Sequence, residues 1–195
     1  MSRKSTLSRT TRETQIEIHL DLDGTGKTQI STGIAFFDHM LTALGVHGRF
    51  DLAVKAKGDL EVDFHHTVED TGLVLGQALD EALGDKAGIV RFGDSCVPMD
   101  EALSRVTVDL SNRPYLVYHF PDAFRPGSGF DACLAREFFQ ALCVQGRFNL
   151  HINGYYGENE HHVLESIFKA MGRALHAATR KDHTLSGTLS TKGCL

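Results

Sequence analysis

Two stretches of this chain are versions of one another, so any fold it adopts must offer two equivalent places for them. Gly45-Val-His-Gly-Arg-Phe-Asp-Leu52 reads against Cys143-Val-Gln-Gly-Arg-Phe-Asn-Leu150, with five of eight positions identical. About a dozen residues later the first block reaches His65-His66-Thr67-Val68-Glu69, and the second reaches His161-His162-Val163-Leu164-Glu165. A tandem repeat has to be recognised before a fold is assigned, because the unit of folding is then the repeat. The chain is predicted to be a duplicated unit with one His-His-x-x-Glu motif in each half.

The motif carries chemistry as well as symmetry. Imidazole and carboxylate together suit a borderline or hard divalent metal. On a helix, residues i and i+4 share a face, so His65 with Glu69, and His161 with Glu165, are placed to chelate one ion each. The neighbouring His66 and His162 point about 100° away and can reach a second ion. With 11 His and 10 Glu in 195 residues, one copy is expected by chance on the order of 0.03 times and two on the order of 0.0005 times. A pair of helix starts carrying solvated histidines is the bland alternative, and the doubling weighs against it. Gly26-Lys27-Thr28 is no phosphate-binding P-loop, since that motif needs glycine at the position of Asp21.

The periodicities lay out each half. Ile16, Ile18, Leu20 and Leu22 alternate with polar residues and predict a strand over 14–22, followed by a turn at 23–26 and a second strand near 27–32. Helical spacing predicts a helix over 36–44, then a strand over 49–57, a polar link at 58–63 and a helix from His65 to about residue 83. The second half repeats this, with room for one additional strand, as strands over 89–92, 103–110 and 114–120 and a loop at 121–129. A helix capped by Asp131, a strand over 147–152 and a helix over 161–179 follow. Residues 1–12 are polar and are expected to be a flexible start. The boundary falls at 84–88, giving one half at 1–86 and another at 87–195 that ends in a polar, Gly-rich tail. The expected class is α+β: internally duplicated β-β-α-β-α halves, with sheets packed with helices on one side.

Composition narrows the function classes. A net charge of −5 argues against general nucleic-acid binding but not against a local basic pocket. No apolar run is long enough to span a membrane. The four cysteines show no CxxC and no disulfide-rich spacing, so a reducing cytoplasm is the expected compartment.

Phe36-Phe-Asp-His-Met-Leu41, His65-His-Thr-Val-Glu-Asp70, Ser111-Asn-Arg-Pro-Tyr115 and Ser186-Gly-Thr-Leu-Ser-Thr-Lys-Gly193 resemble the imidazoleglycerol-phosphate dehydratase family. The resemblance runs from about Arg12 onward. It implies dehydration of imidazole glycerol phosphate to imidazole acetol phosphate in histidine biosynthesis, two Mn²⁺ per site, and a homo-oligomer of twenty-four subunits with cubic symmetry. Phe64 stands where a small or polar residue is expected, and Glu137 where some members carry His.

With that resemblance, the repeat suggests how ligands are shared. One ion would take His65, Glu69 and His162. The other would take His161, Glu165 and His66. His39 and Glu137, at matching places in the repeat, would complete one site each. The ions would act as Lewis acids on the substrate ring, held between them as an imidazolate. The family's phosphate-side positions fall on Arg91, Arg113, Lys169, Ser190 and Lys192. His47 is a further substrate-side candidate, because the second half has Gln145 there. Glu13 matches a family position close to the substrate, and Glu13, Glu69 and Glu165 all stay open as the proton shuttle. A metal-storage protein would share the His-His-x-x-Glu pair but has no use for Arg113 or Lys192. A di-metal hydrolase would need a nucleophile motif that the chain lacks.

Overall fold

The computed structural model describes residues 3–121 and 129–195. The first half runs β1 (Lys4–Thr10), β2 (Thr14–Asp21), β3 (Thr28–Ser31), α1 (Ala35–Gly48), β4 (Asp51–Gly58) and α2 (His65–Leu83). The second runs β5 (Phe92–Met99), β6 (Ala102–Asp109), β7 (Tyr115–His119), α3 (Ala132–Gly146), β8 (Asn149–Tyr156) and α4 (Glu160–Thr179). Each half builds one four-stranded sheet, in the orders β1-β2-β4-β3 and β5-β6-β8-β7. The last pair of each sheet is parallel, a pairing that needs a crossover, which α1 and α3 supply. The α+β class and the duplication hold, and each unit carries one strand more than β-β-α-β-α.

The strands alternate as their sequences demand. Ile16, Ile18 and Leu20 of β2 are buried, while Glu17 and His19 face out. The buried faces of both sheets meet the helices, and one continuous apolar cluster includes residues of both halves. The helices pair between halves, α1 with α4 and α2 with α3. Glycine permits this close approach. A Cβ at Gly172 would lie 2.3 Å from the Leu44 carbonyl oxygen, and one at Gly76 would lie 2.5 Å from that of Leu142. These two glycines each fall eleven residues after the first motif histidine, so the contact is itself duplicated.

The repeated Gly-Arg-Phe has a structural cause. Arg49 and Arg147 both adopt left-handed backbone at φ 56°. The next amide then folds back, Phe50 N–H to Gly45 O at 3.0 Å and Phe148 N–H to Cys143 O at 3.2 Å. This closes α1 and α3 as Schellman turns and sends a phenylalanine into the core.

Three local expectations change. Residues 4–10 are not a flexible start but the edge strand β1, paired with β2 from Lys4↔Asp21 to Thr10↔Gln15. Its polar sequence hides it, because only Ser5 is buried and it is bonded to Glu81 rather than packed in oil. The strand expected at 89–92 starts at Phe92 instead, and Ile89 makes an isolated bridge to Lys181. The second strand near 27–32 shortens to Thr28–Ser31 and pairs with β4. Of the loop read at 121–129, residues 122–128 lie outside the described residues.

Candidate metal centre and basic cleft

Both motif helices open the same way. The residue two before the first histidine accepts its backbone N–H: Asp63 Oδ1 from His65 at 2.7 Å, and Asn159 Oδ1 from His161 at 3.0 Å. Asn159 is the N-cap of α4, whereas Asp63 stands one residue before Phe64, the N-cap of α2, and each bond satisfies an amide that has no partner inside the helix. The residue after each motif glutamate then ties the helix to its sheet. Asp70 is buried and accepts from Thr14 Oγ1 at 2.5 Å while pairing with Arg9. Ser166 donates to Ser104 Oγ at 2.7 Å. The first turn of each helix is therefore held from two directions.

One donor cluster assembles between the two halves. Glu165 Oε2 lies 3.0 Å from His161 Nε2 on its own helix and 3.2 Å from His39 Nε2 on α1. The three donor atoms lie within 4.8 Å of one another, and among the described residues no other group of three candidate ligands does so. His39 is delivered by the start of α1, where the Asp38 carboxylate accepts from Thr32 N–H at 2.8 Å. Lys169 holds the other oxygen, Glu165 Oε1, at 2.6 Å. Burial works to raise the Glu165 pKa, but hydrogen bonds from Lys169, His39 and His161 overcome it and hold the carboxyl at about 2. An ionised carboxylate with two imidazole nitrogens is a donor set that fits a borderline divalent cation.

In the first half His65 Nε2 and Glu69 Oε2 are 3.5 Å apart, both near half-exposed. Glu137 pairs with Arg136 at 3.0 Å. Among the described residues, no group of three joins donors from the two motifs.

The outward histidines are oriented by carboxylates that sequence reasoning missed. Asp59 Oδ2 meets His66 Nδ1 at 3.0 Å, and Glu101 Oε2 meets His162 Nδ1 at 2.7 Å. Asp59 raises the His66 pKa against its desolvation, with the Glu13 charge adding to it. The His162 bond, with the Asn159 amide next, holds Glu101 at about 2. Glu101 also accepts the Glu158 and Asn159 amides at 3.1 and 2.9 Å. A carboxylate on Nδ1 fixes the tautomer so that Nε2 keeps its lone pair, which in His162 faces the Asn159 side-chain amide at 3.5 Å. Glu13 stands at the same rim as Asp59, and its carboxylate makes no hydrogen bond or ion pair among the described residues.

Elsewhere Arg91, Arg113, Ser190 and Lys192 come together in an open cleft of about 1000 Å³, with Arg147 on its wall. Arg91 makes a bidentate pair with Asp109 at 2.7 and 3.1 Å and donates to Leu189 O of the tail at 2.5 Å. Arg113 reaches Asp109 only at 3.6 Å. Lys169 lies apart from this cleft, at Glu165. His47 lies in the last turn of α1, and burial lowers its pKa, with Lys169 and Arg173 adding to the effect. No helix among the described residues is long and apolar enough to cross a membrane.

The family model for imidazoleglycerol-phosphate dehydratase matches residues 32–175. Among curated relatives, the imidazoleglycerol-phosphate dehydratase of Acidiphilium cryptum is 57% identical over 197 aligned residues, and that of Desulfosudis oleivorans is 53% identical over 195. Both alignments cover the whole of both chains. The Pyrococcus furiosus enzyme, solved in complex with (S)-C348, superposes with a TM-score of 0.85 at 39% identity, covering 97% of this chain and 100% of that one. The Staphylococcus aureus enzyme superposes at 0.82, also at 39% identity, covering 92% and 99%.

Proposed function

The chain belongs to the imidazoleglycerol-phosphate dehydratase family and is a dehydratase of histidine biosynthesis, and on that premise we propose that its reaction depends on two divalent ions, Mn²⁺ by resemblance, held by the histidines and glutamates of the two motifs. The observation that carries this is the convergence of His39 and His161 on one oxygen of Glu165. His39, His161 and Glu165 would hold one ion, with His66 completing it. His65, Glu69, His162 and Glu137 would hold the other. When bound, the ions would supply Lewis-acid charge to the substrate ring and would so make it easier for a proton to leave a carbon with no carbonyl beside it.

The chain's own groups do the rest. Lys169 keeps Glu165 ionised and oriented through Oε1. Asp59 and Glu101 hold His66 and His162 through Nδ1, which leaves the lone pair on Nε2. Glu13 is the best-placed proton shuttle of the three carboxylates, because Glu165 is engaged by three partners and Glu69 lies against His65. Arg91, Arg113, Ser190 and Lys192 offer the donors a phosphate needs, with hydrogen bonds to charged groups worth roughly 1.5–3 kcal/mol each. A metal-storage protein would have no use for that cleft. Completing both ion sites would require donors from a neighbouring copy, in keeping with the expected twenty-four-subunit homo-oligomer and a cytoplasmic setting.

Purified protein loaded with Mn²⁺ is expected to convert imidazole glycerol phosphate to its ketone product. No product at any metal loading would sink the metal-dependent reading.

A further inference from the structure

The described residues contain one lysine with almost no exposure. Lys86 is 1% exposed, in the link between the two halves. A buried ammonium is costly unless paired and hydrogen-bonded. Its Nζ is 2.8 Å from Asp80 Oδ1 near the end of α2, and 2.5 Å from Asn112 Oδ1. Asn112 sits in left-handed backbone at φ 58° in the loop before β7, directly before Arg113. The other oxygen of Asp80 reaches Arg147 Nη1 at 3.8 Å. Asn112, Arg113 and Arg147 all line the basic cleft.

We propose that Lys86 is a positioning residue for substrate: through Asn112 and Asp80 it sets the places of Arg113 and Arg147, and so tunes the cleft's affinity for a phosphate group. This rests on reading the cleft as the phosphate site. Lys86 touches no substrate itself. Its bond to the Asn112 side chain pins a backbone turn that an asparagine tolerates and most side chains do not. Its charge leaves Asp80 balanced between two cations, so that Arg147 stays on the wall rather than collapsing onto a lone, partly exposed carboxylate. A buried pair that is replaceable for stability can still select one conformation. In this instance the selected conformation would be the arginine pair.

The test uses the full-length, Mn²⁺-loaded protein with imidazole glycerol phosphate as substrate and inorganic phosphate as competitive inhibitor. Lys86→Met is expected to raise KM and the phosphate inhibition constant at least fivefold, with kcat within twofold and metal content unchanged. Asn112→Gly keeps the positive φ and deletes only the tethering amide, so it carries the test if Lys86→Met fails to fold, and the same split is expected. The double variant should be no worse than the poorer single one, because both act through one bond. Arg113→Ala is the reference. If it leaves phosphate inhibition unchanged, the cleft is not the phosphate site and the proposal falls with that reading. If Arg113→Ala weakens phosphate binding while Lys86→Met and Asn112→Gly do not, the cleft stands and the role of Lys86 is overturned. A loss confined to kcat or to thermal stability would also overturn it.

Discussion

Glu165 shows what neighbours do to a single side chain. Three hydrogen-bond partners, drawn from α1 and two turns of α4, keep it ionised to about pH 2 despite its burial. The i,i+4 part of that arrangement is legible in the sequence, because helical spacing is local. The supports for His66 and His162 are not. Asp59 follows β4, whereas Glu101 sits in the turn between β5 and β6, so the two carboxylates occupy unrelated places in the repeat. No alignment of the halves against each other could have paired them. Asp59→Asn and Glu101→Gln are each expected to weaken Mn²⁺ binding by about 10–100-fold, the usual consequence of removing a group that orients a ligand histidine. Equilibrium dialysis against Mn²⁺ checks this, and wild-type affinity in both would remove the orienting role.

Histidine also sets a pH limit. Burial lowers the His176 pKa, and the nearby Arg49 and Arg180 lower it further. A histidine depressed in the fold takes up protons more readily when unfolded, so its share of stability is present above the unfolded value of about 6.5. That share is lost as pH falls from there toward the folded pKa. The metal-free protein should therefore lose thermal midpoint between pH 7.5 and 5.5, and His176→Gln should flatten that slope. Equal slopes in the two proteins would assign the acid sensitivity elsewhere.

Elements were legible to the degree that their signal was apolar and periodic. The four helices and the strands β2, β4 and β8 alternate or repeat hydrophobic residues, and each appears where its pattern lies. β1 has no such pattern. It exists because backbone amides along β2 need partners and because Thr11 closes the turn, accepting from Glu13 N–H at 3.1 Å and Thr14 N–H at 2.9 Å. The helix pairing was invisible for another reason. Glycine leaves no hydrophobic mark, yet Gly76 and Gly172 decide which helices touch. Gly172→Ala would force a Cβ against the Leu44 carbonyl and the Gly48 amide, at 2.3 and 2.8 Å. Overpacking of this kind costs about 1–3 kcal/mol, which lowers the melting temperature by roughly 2–4 °C per kcal/mol in a chain of this size. Calorimetry should show a drop of several degrees, with Gly76→Ala doing the same. An unchanged midpoint would mean that the α1–α4 contact can open at no cost.

At the scale of the whole molecule the two halves share one core, and His39 of the first half meets His161 and Glu165 of the second, but the two motifs do not meet. His39, His161 and Glu165 converge within the chain, whereas His65, Glu69, His66 and His162 stay partly exposed, and no group of three among the described residues joins the motifs. If each ion takes donors from both motifs, a second copy of the chain must supply them. Metal binding energy is then interface energy, and the affinity of the ion and the stability of the assembly are linked by mass action. Chelation by EDTA should therefore lower the mass seen by light scattering, and added Mn²⁺ should restore it. His66→Ala should copy chelation in part, cutting activity by orders of magnitude and weakening the assembly while each chain keeps its fold, since His66 lies outside the core. A mass unchanged after verified metal removal would place the ions within one chain or leave the assembly to packing alone. In that case exposed side chains such as Tyr155, Tyr156 and Val62 become the groups to mutate.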